Sequence, residues 1–240
     1  MRGKPLLMFG MLCVCIFVLC GCANQTASSS GSSTQTINPS PSLESGSFSN
    51  VSVEDKIDFG TYNNEPITWQ VLDKQDDKML LLSDKVLYRA EYDDGHTRNV
   101  TWADCTLRAS LNGDFYNNSF SDVEKTKILM THVVNSDNMA YETPGGEDTD
   151  DKIFLLSIDE ANRYFVADNI REATTLKGES IWWWLRSPGR LSYYAAGVHY
   201  GGEIDEDGNY VEEYSDFRDK EDNIIYYYGG VRPAMWVNLE

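Results

Sequence analysis

The chain has 240 residues, with 20 Lys and Arg against 38 Asp and Glu, for a formal net charge of −18. At roughly 150 residues per domain that is one domain or two small ones, and six Trp, fourteen Tyr and nine Phe are ample for a packed core. So negative a balance repels phosphate backbones and excludes nucleic-acid binding. Four of the five cysteines fall in the first 22 residues, leaving Cys105 with His96, His132 and His199, which form neither a disulfide framework nor a zinc spacing.

Arg2 and Lys4 precede an apolar run from Leu6 to Leu19, which suits a secretory signal and falls short of the ~20 residues that span a bilayer. The run ends in Leu19-Cys20-Gly21-Cys22, which resembles a bacterial lipobox. The resemblance implies that residues 1–21 are a signal peptide, that Cys22 carries a diacylglyceryl anchor, and that the protein sits at the outer face of the bacterial cell membrane. Two acyl chains suffice for stable anchoring, where one is marginal. Residues 22–52 are almost wholly Ser, Thr, Asn, Gln, Gly and Pro. They have too little apolar surface to offset ordering entropy, and read as a tether reaching ~30 Å.

Residues 53–240 read as one globular domain. Ile57 to Gly60, Pro66 to Leu72 and Met79 to Leu82 are short or alternating apolar runs separated by Asn, Asp and Lys turns, which predicts three strands. Thr101-Trp102-Ala103-Asp104, Ser121-Asp122-Val123-Glu124 and Ser157-Ile158-Asp159-Glu160 each put a hydroxyl three residues before an acid, the pattern of a helix start. Ala103, Leu107 and Leu111 then share one side of a helix beginning at Thr101 that includes Cys105 as a small inert side chain. Ala161, Tyr164 and Phe165 follow the third cap at helical spacing. After Ser180 the chain predicts mainly antiparallel strands, through Ile181 to Leu185, Ala195 to Val198 and Val231 to Val237. Glu203 to Asp222 holds ten acids and two bases, which argues for solvated hairpins.

Ordered blocks run through this region: Phe59-Gly60-Thr61-Tyr62, Pro66-Ile67-Thr68-Trp69, Trp102 with Leu107-Arg108 and Leu111-Asn112, then Phe115 and Phe120. They continue in Leu155-Leu156-Ser157, Trp183-Trp184-Leu185-Arg186-Ser187-Pro188-Gly189 and Gly230-Val231-Arg232-Pro233-Ala234. Together they resemble a family of secreted or surface-anchored bacterial domains of unknown function. The closing blocks are also similar to the ending of C-type-lectin-like domains, including the formylglycine-generating branch. That likeness implies an α+β fold with short helices around twisted antiparallel sheets. Departures bear on chemistry: the cysteine pairs of animal lectins and of formylglycine generation are missing, and the lectin sugar-binding Glu-Pro-Asn is answered only by Glu65-Pro66-Ile67.

Asp205, Asp207 and Asn209 place oxygen ligands at alternate positions around Gly208, an arrangement that suits Ca²⁺, and Glu147 to Asp151 is a second carboxylate cluster. Neither completes a twelve-residue calcium loop, and Asp-Gly-Asn is equally a hairpin turn. Arg186 and Arg232 read either as a grip for an anionic ligand or as structural cations joining the last strands. Eight of the fourteen tyrosines lie between Tyr193 and Tyr228. Tyr200, Tyr210 and Tyr214 are the candidate ligand-binding residues, with the covering of strand faces as the alternative. No spacing selects a nucleophile with its base or a pair of glycosidase carboxylates. The expectation is a lipid-anchored extracytoplasmic binding module, non-catalytic, that meets a surface protein or glycan. The alternative is an enzyme acting on cell-envelope polymers or other polysaccharides.

Overall fold

The computed structural model describes residues 48–95, 99–211 and 228–239. Residues 1–47, with Cys22 and the segments expected to be leader and tether, lie outside the described residues, as do His96, Tyr214, Tyr226 and Tyr227. Phe48, read from sequence as tether, is buried and meets Phe59 edge-on at 6.2 Å. The packed chain therefore starts a few residues before Val53.

Strands β1 (Lys56–Tyr62) and β2 (Glu65–Gln75) form a hairpin over Asn63 and Asn64, whose φ values of 52° and 66° are the left-handed pair of a type I′ turn. Asn tolerates that region better than other side-chain-bearing residues. Strand β3 (Lys78–Ser83) completes the three strands predicted here. Strand β4 (Tyr88–Ala90) leads to α1 (Thr106–Ser110), which runs through a π-helical turn (Leu111–Phe115) into α2 (Tyr116–Ser119).

The predicted start at Thr101 is displaced. Thr101 Oγ1 donates to the Asp104 carboxylate at 2.9 Å, closing a turn, and the N-cap is Cys105, whose Sγ accepts from Arg108 N at 3.4 Å. Both other predicted starts hold. Helix α3 (Asp122–Lys127) is capped by Ser121 and Glu124, and α4 (Ile158–Tyr164) by Ser157 and Glu160, each pair satisfying the other's backbone N–H. Glu124 also accepts from Gly60 N at 2.8 Å, pinning a bulge in β1. Gly60 sits at φ 71°, and a Cβ there would lie 2.6 Å from the Phe120 ring, so the bulge requires glycine.

Between these helices lie β5 (Thr131–Val133) and β6 (Thr149–Asp151). After α5 (Asp168–Arg171) come β7 (Ala173–Thr174) and β8 (Ser180–Ile181), then β9 (Trp183–Pro188), β10 (Tyr194–Val198), β11 (Ile204–Tyr210), β12 (Gly229–Val231) and β13 (Ala234–Asn238). Among the described residues, thirteen strands and a few short helices make a mixed α/β fold dominated by curled antiparallel sheet. One sheet has the order β1-β2-β3-β13 and a second the order β11-β10-β9-β12-β4, in which β12 meets β9 in parallel with Gly230 opposite Trp183.

Every residue of β9 and β10 is buried, because both are central strands covered on both faces. That is why Trp-Trp-Leu reads as a continuous apolar run rather than an alternation. One apolar cluster joins both sheets, from Ile57, Trp69 and Leu80 to Trp183, Leu185 and Val198. Strand β11 stays partly exposed on the edge, and residues 212–222, expected as solvated hairpin, lie outside the described residues.

Candidate functional site

The tyrosines singled out from sequence do not converge. Tyr210 stands at one end of the β10–β11 hairpin, its ring 4.4 Å from Tyr194 and 5.8 Å from Tyr193. Tyr200 is exposed in the turn at the other end. Asp205 and Asp207 are turned to partners of their own. Asp205 accepts from Gly208 N at 3.1 Å and faces His199 at 3.5 Å, whereas Asp207 accepts from the Tyr141 hydroxyl and lies 3.7 Å from Arg190. Asn209 Nδ2 reaches Asp205 at 3.4 Å. Among the described residues no group of three or more acidic, His or Cys side chains is arranged to hold a metal ion. In the second cluster, Asp148 and Asp150 flank His132 at 3.5 and 3.1 Å.

Arg186 and Arg232 are buried, so neither guanidinium is presented to solvent. Arg186 donates to Leu155 O at 2.8 Å and Val134 O at 3.1 Å and pairs with Glu160, tying β9 to the start of α4. Arg232 donates to Ser83 O at 2.8 Å and lies 5.0 Å over Trp183, with Nη1 lacking a hydrogen-bond partner. Burial away from water pulls its ordinary value down to about 10.

The blocks around Trp102 and Arg108 meet at Asp151, which is fully buried. Its carboxylate accepts from Trp102 Nε1 at 2.8 Å, Arg108 Nε at 2.7 Å and Thr149 Oγ1 at 2.7 Å. One turn further on, Asn112 Oδ1 accepts from Lys152 N and its Nδ2 donates to Ile153 O, each at 2.8 Å. This is structural chemistry: each charged or amide group is consumed in joining α1 and the π turn to β6.

Open space and uncommitted polar groups coincide at the tip of the β1–β2 hairpin. A cleft of about 410 Å³ lies there, within the range of small-molecule sites. Tyr62 and Tyr88 stack on one wall, centroids 5.6 Å apart and planes 24° from parallel, with Phe115 6.4 Å from Tyr62. The turn residues Asn63 and Asn64 face Ser110, Asp114 and Asn118 from the helical segment. Among the described lining residues there is no Lys, Arg, His or Cys, and Asp114 is the one carboxylate.

The π turn supplies Asp114 and Phe115, and such turns recur at functional sites. Burial, and then the neighbouring Tyr62, push the Tyr88 phenol far above its ordinary value, so it stays a neutral hydroxyl. Cys105 is likewise pushed up by burial, to about 12, and is no nucleophile. Sequence reasoning named Tyr62 and Phe115 only as parts of blocks and missed Tyr88, Ser110, Asp114 and Asn118. The one local signal was Asn63-Asn64 between two strands.

A family model described as Domain of unknown function (DUF6273) matches residues 76–239. No curated protein and no solved structure matches the chain.

Proposed function

The chain belongs to the DUF6273 family, and from that premise we propose that it is a lipid-anchored, extracytoplasmic, non-catalytic binding module whose cleft at Tyr62 and Tyr88 takes a neutral, hydroxyl-bearing ligand, a glycan. The carrying observation is the stacked tyrosine pair facing amide and hydroxyl groups without a cation. An aromatic face takes the apolar C–H face of a sugar ring, while Asn and Ser side chains both donate to and accept from hydroxyls. An anionic ligand gains nothing from such a lining and is repelled by Asp114 and the net charge of −18. A glycosidase needs two carboxyl groups across the bond it breaks; the described lining has one.

The C-type-lectin-like assignment belongs to the same proposal. Supporting it, the closing blocks lie on neighbouring strands, Trp183 to Pro188 on β9, Ala195 to Val198 on β10 and Gly230-Val231 on β12. Anchoring is proposed from the Leu19-Cys20-Gly21-Cys22 block. Among the described residues no helix is long and apolar enough to cross a membrane.

The test is a glycan-array screen of the whole protein, with calorimetry on the hits. Binding that falls at least tenfold in Asn118→Ala and Tyr88→Phe/Asn118→Ala, with unchanged thermal midpoints, supports the site. No binding by wild type to any neutral glycan overturns the reading. In parallel, Cys22→Ala is expected to leave the membrane fraction or accumulate unprocessed, and unchanged partitioning with no incorporated palmitate refutes the anchor.

A further inference from the structure

Resting on the glycan reading of the cleft, we infer that the ligand is an N-acylated sugar whose acyl group enters a second, smaller cavity sharing Tyr62 as a wall. This cavity is about 130 Å³. An apolar cavity of roughly 150 Å³ holds a benzene ring, so the space suits a small acyl group and is tight for a whole sugar ring. Its apolar lining comes from Pro66, Ile67, Leu87 and Leu176. Leu176, in the turn between β7 and β8, is 56% exposed, an apolar side chain left in water beside a cavity.

The polar rim matches an amide. Lys85 lines this cavity and its Nζ donates to Thr174 Oγ1 at 2.9 Å, and an ammonium has further protons for an acyl oxygen. Glu65 brings a carboxylate able to accept the amide N–H. The other charge there, Asp84, is already paired with Lys56 at 2.7 Å. A donor, an acceptor and an apolar floor are what a planar acetamido group with a methyl end requires.

A shared wall carries the rest. Tyr62 lines both cavities, and Tyr88 lines the first while its chain neighbour Leu87 lines the second. Tyr62 is therefore a wall common to the two spaces. In the proposed pose a ring seated against Tyr62 in the larger cleft directs its substituent past the edge of Tyr62 toward the smaller one.

The experiment is calorimetry of the whole protein with three series of equal linkage and length: N-acetylhexosamine oligomers, the same oligomers de-N-acetylated, and plain hexose oligomers. The N-acetyl series is expected to bind about tenfold more tightly than plain hexoses, the gain from burying one methyl and adding one hydrogen bond. Leu176→Glu is expected to erase that difference while leaving plain-hexose affinity unchanged. A second measurement uses wild type alone: N-butyryl oligomers should bind more weakly than N-acetyl ones because the cavity is small. Equal affinity for N-acetyl and plain series, or tightest binding by the cationic de-N-acetylated series, overturns the inference while leaving the glycan site standing. Absence of binding by all three removes the glycan reading itself.

Discussion

Replacing Asp151 by alanine isolates the contact that holds the helical segment to β6. Three donors lose their acceptor at once: the Trp102 indole, the Arg108 guanidinium and the Thr149 hydroxyl. Trp102 is 1% exposed, so its N–H has no access to water and its loss costs about 1–3 kcal/mol. The Arg108 side chain is 26% exposed and keeps its bond to Ala103 O. Water therefore recovers part of the charged interaction, and about 1–2 kcal/mol remains of the 1.5–3 expected for a hydrogen bond to a charge.

The Thr149 hydroxyl can rotate and adds little. The sum is about 2–5 kcal/mol, overlapping the usual cost of removing one partner from a buried ion pair, and lowers the thermal midpoint by roughly 10 °C in a domain of this size. Urea unfolding of Asp151→Ala, Trp102→Phe and the double variant gives the coupling. Trp102→Phe removes the stranded donor, so it should cost at least about 1 kcal/mol less in the Asp151→Ala background than in wild type. A loss below about 1 kcal/mol for Asp151→Ala, or strict additivity, would refute the account.

Trp184 is fully buried, donates to Ala90 O at 2.9 Å and meets Tyr92 and Trp182 edge-on at 5.6 and 4.6 Å. Trp184→Ala should therefore cost ~3–5 kcal/mol in urea unfolding, where a value near 1 would place it outside the core. Tyr200→Ser, at an exposed position, should shift stability by no more than about 0.5 kcal/mol in the same assay. Stability should fall with pH above 9, because Cys105 keeps its proton up to about 12 when folded but releases it from its ordinary value of 9 when unfolded. In that window the unfolded chain binds fewer protons, giving a slope that steepens from about −0.7 kcal/mol per pH unit at pH 9 toward about −1.4 between 10 and 11, and Cys105→Ala should flatten it. The same burial predicts that iodoacetamide labels Cys105 only under denaturing conditions, which mass spectrometry of native and unfolded protein checks.

What the sequence determined by itself is what short-range interactions decide. Ser121 with Glu124 and Ser157 with Glu160 are capping boxes whose groups lie three residues apart, so the local pattern suffices. The alternation in Ile57 to Phe59 and the apolar run Met79 to Leu82 mark strands through burial of one face or both. Thr101 shows the limit even locally. Its hydroxyl-to-acid spacing was satisfied side chain to side chain, and the cap passed to a cysteine sulfur that no capping preference points to.

Tertiary structure alone decided the fate of the long-range groups. Whether Arg232 grips a ligand or the fold depends on Ser83, 149 residues away, and Arg186 depends on Val134 and Leu155, 52 and 31 residues away. Tyr200 and Tyr210 are close in sequence, yet the hairpin register sets them at opposite ends. The cleft is built from residues 61–64, 88 and 110–119, none of which is conspicuous in its own segment. Stacking of Tyr62 on Tyr88 is a property of how β4 and the helical segment pack beside the first hairpin, and packing between distant segments has no period or motif that a linear reading can detect.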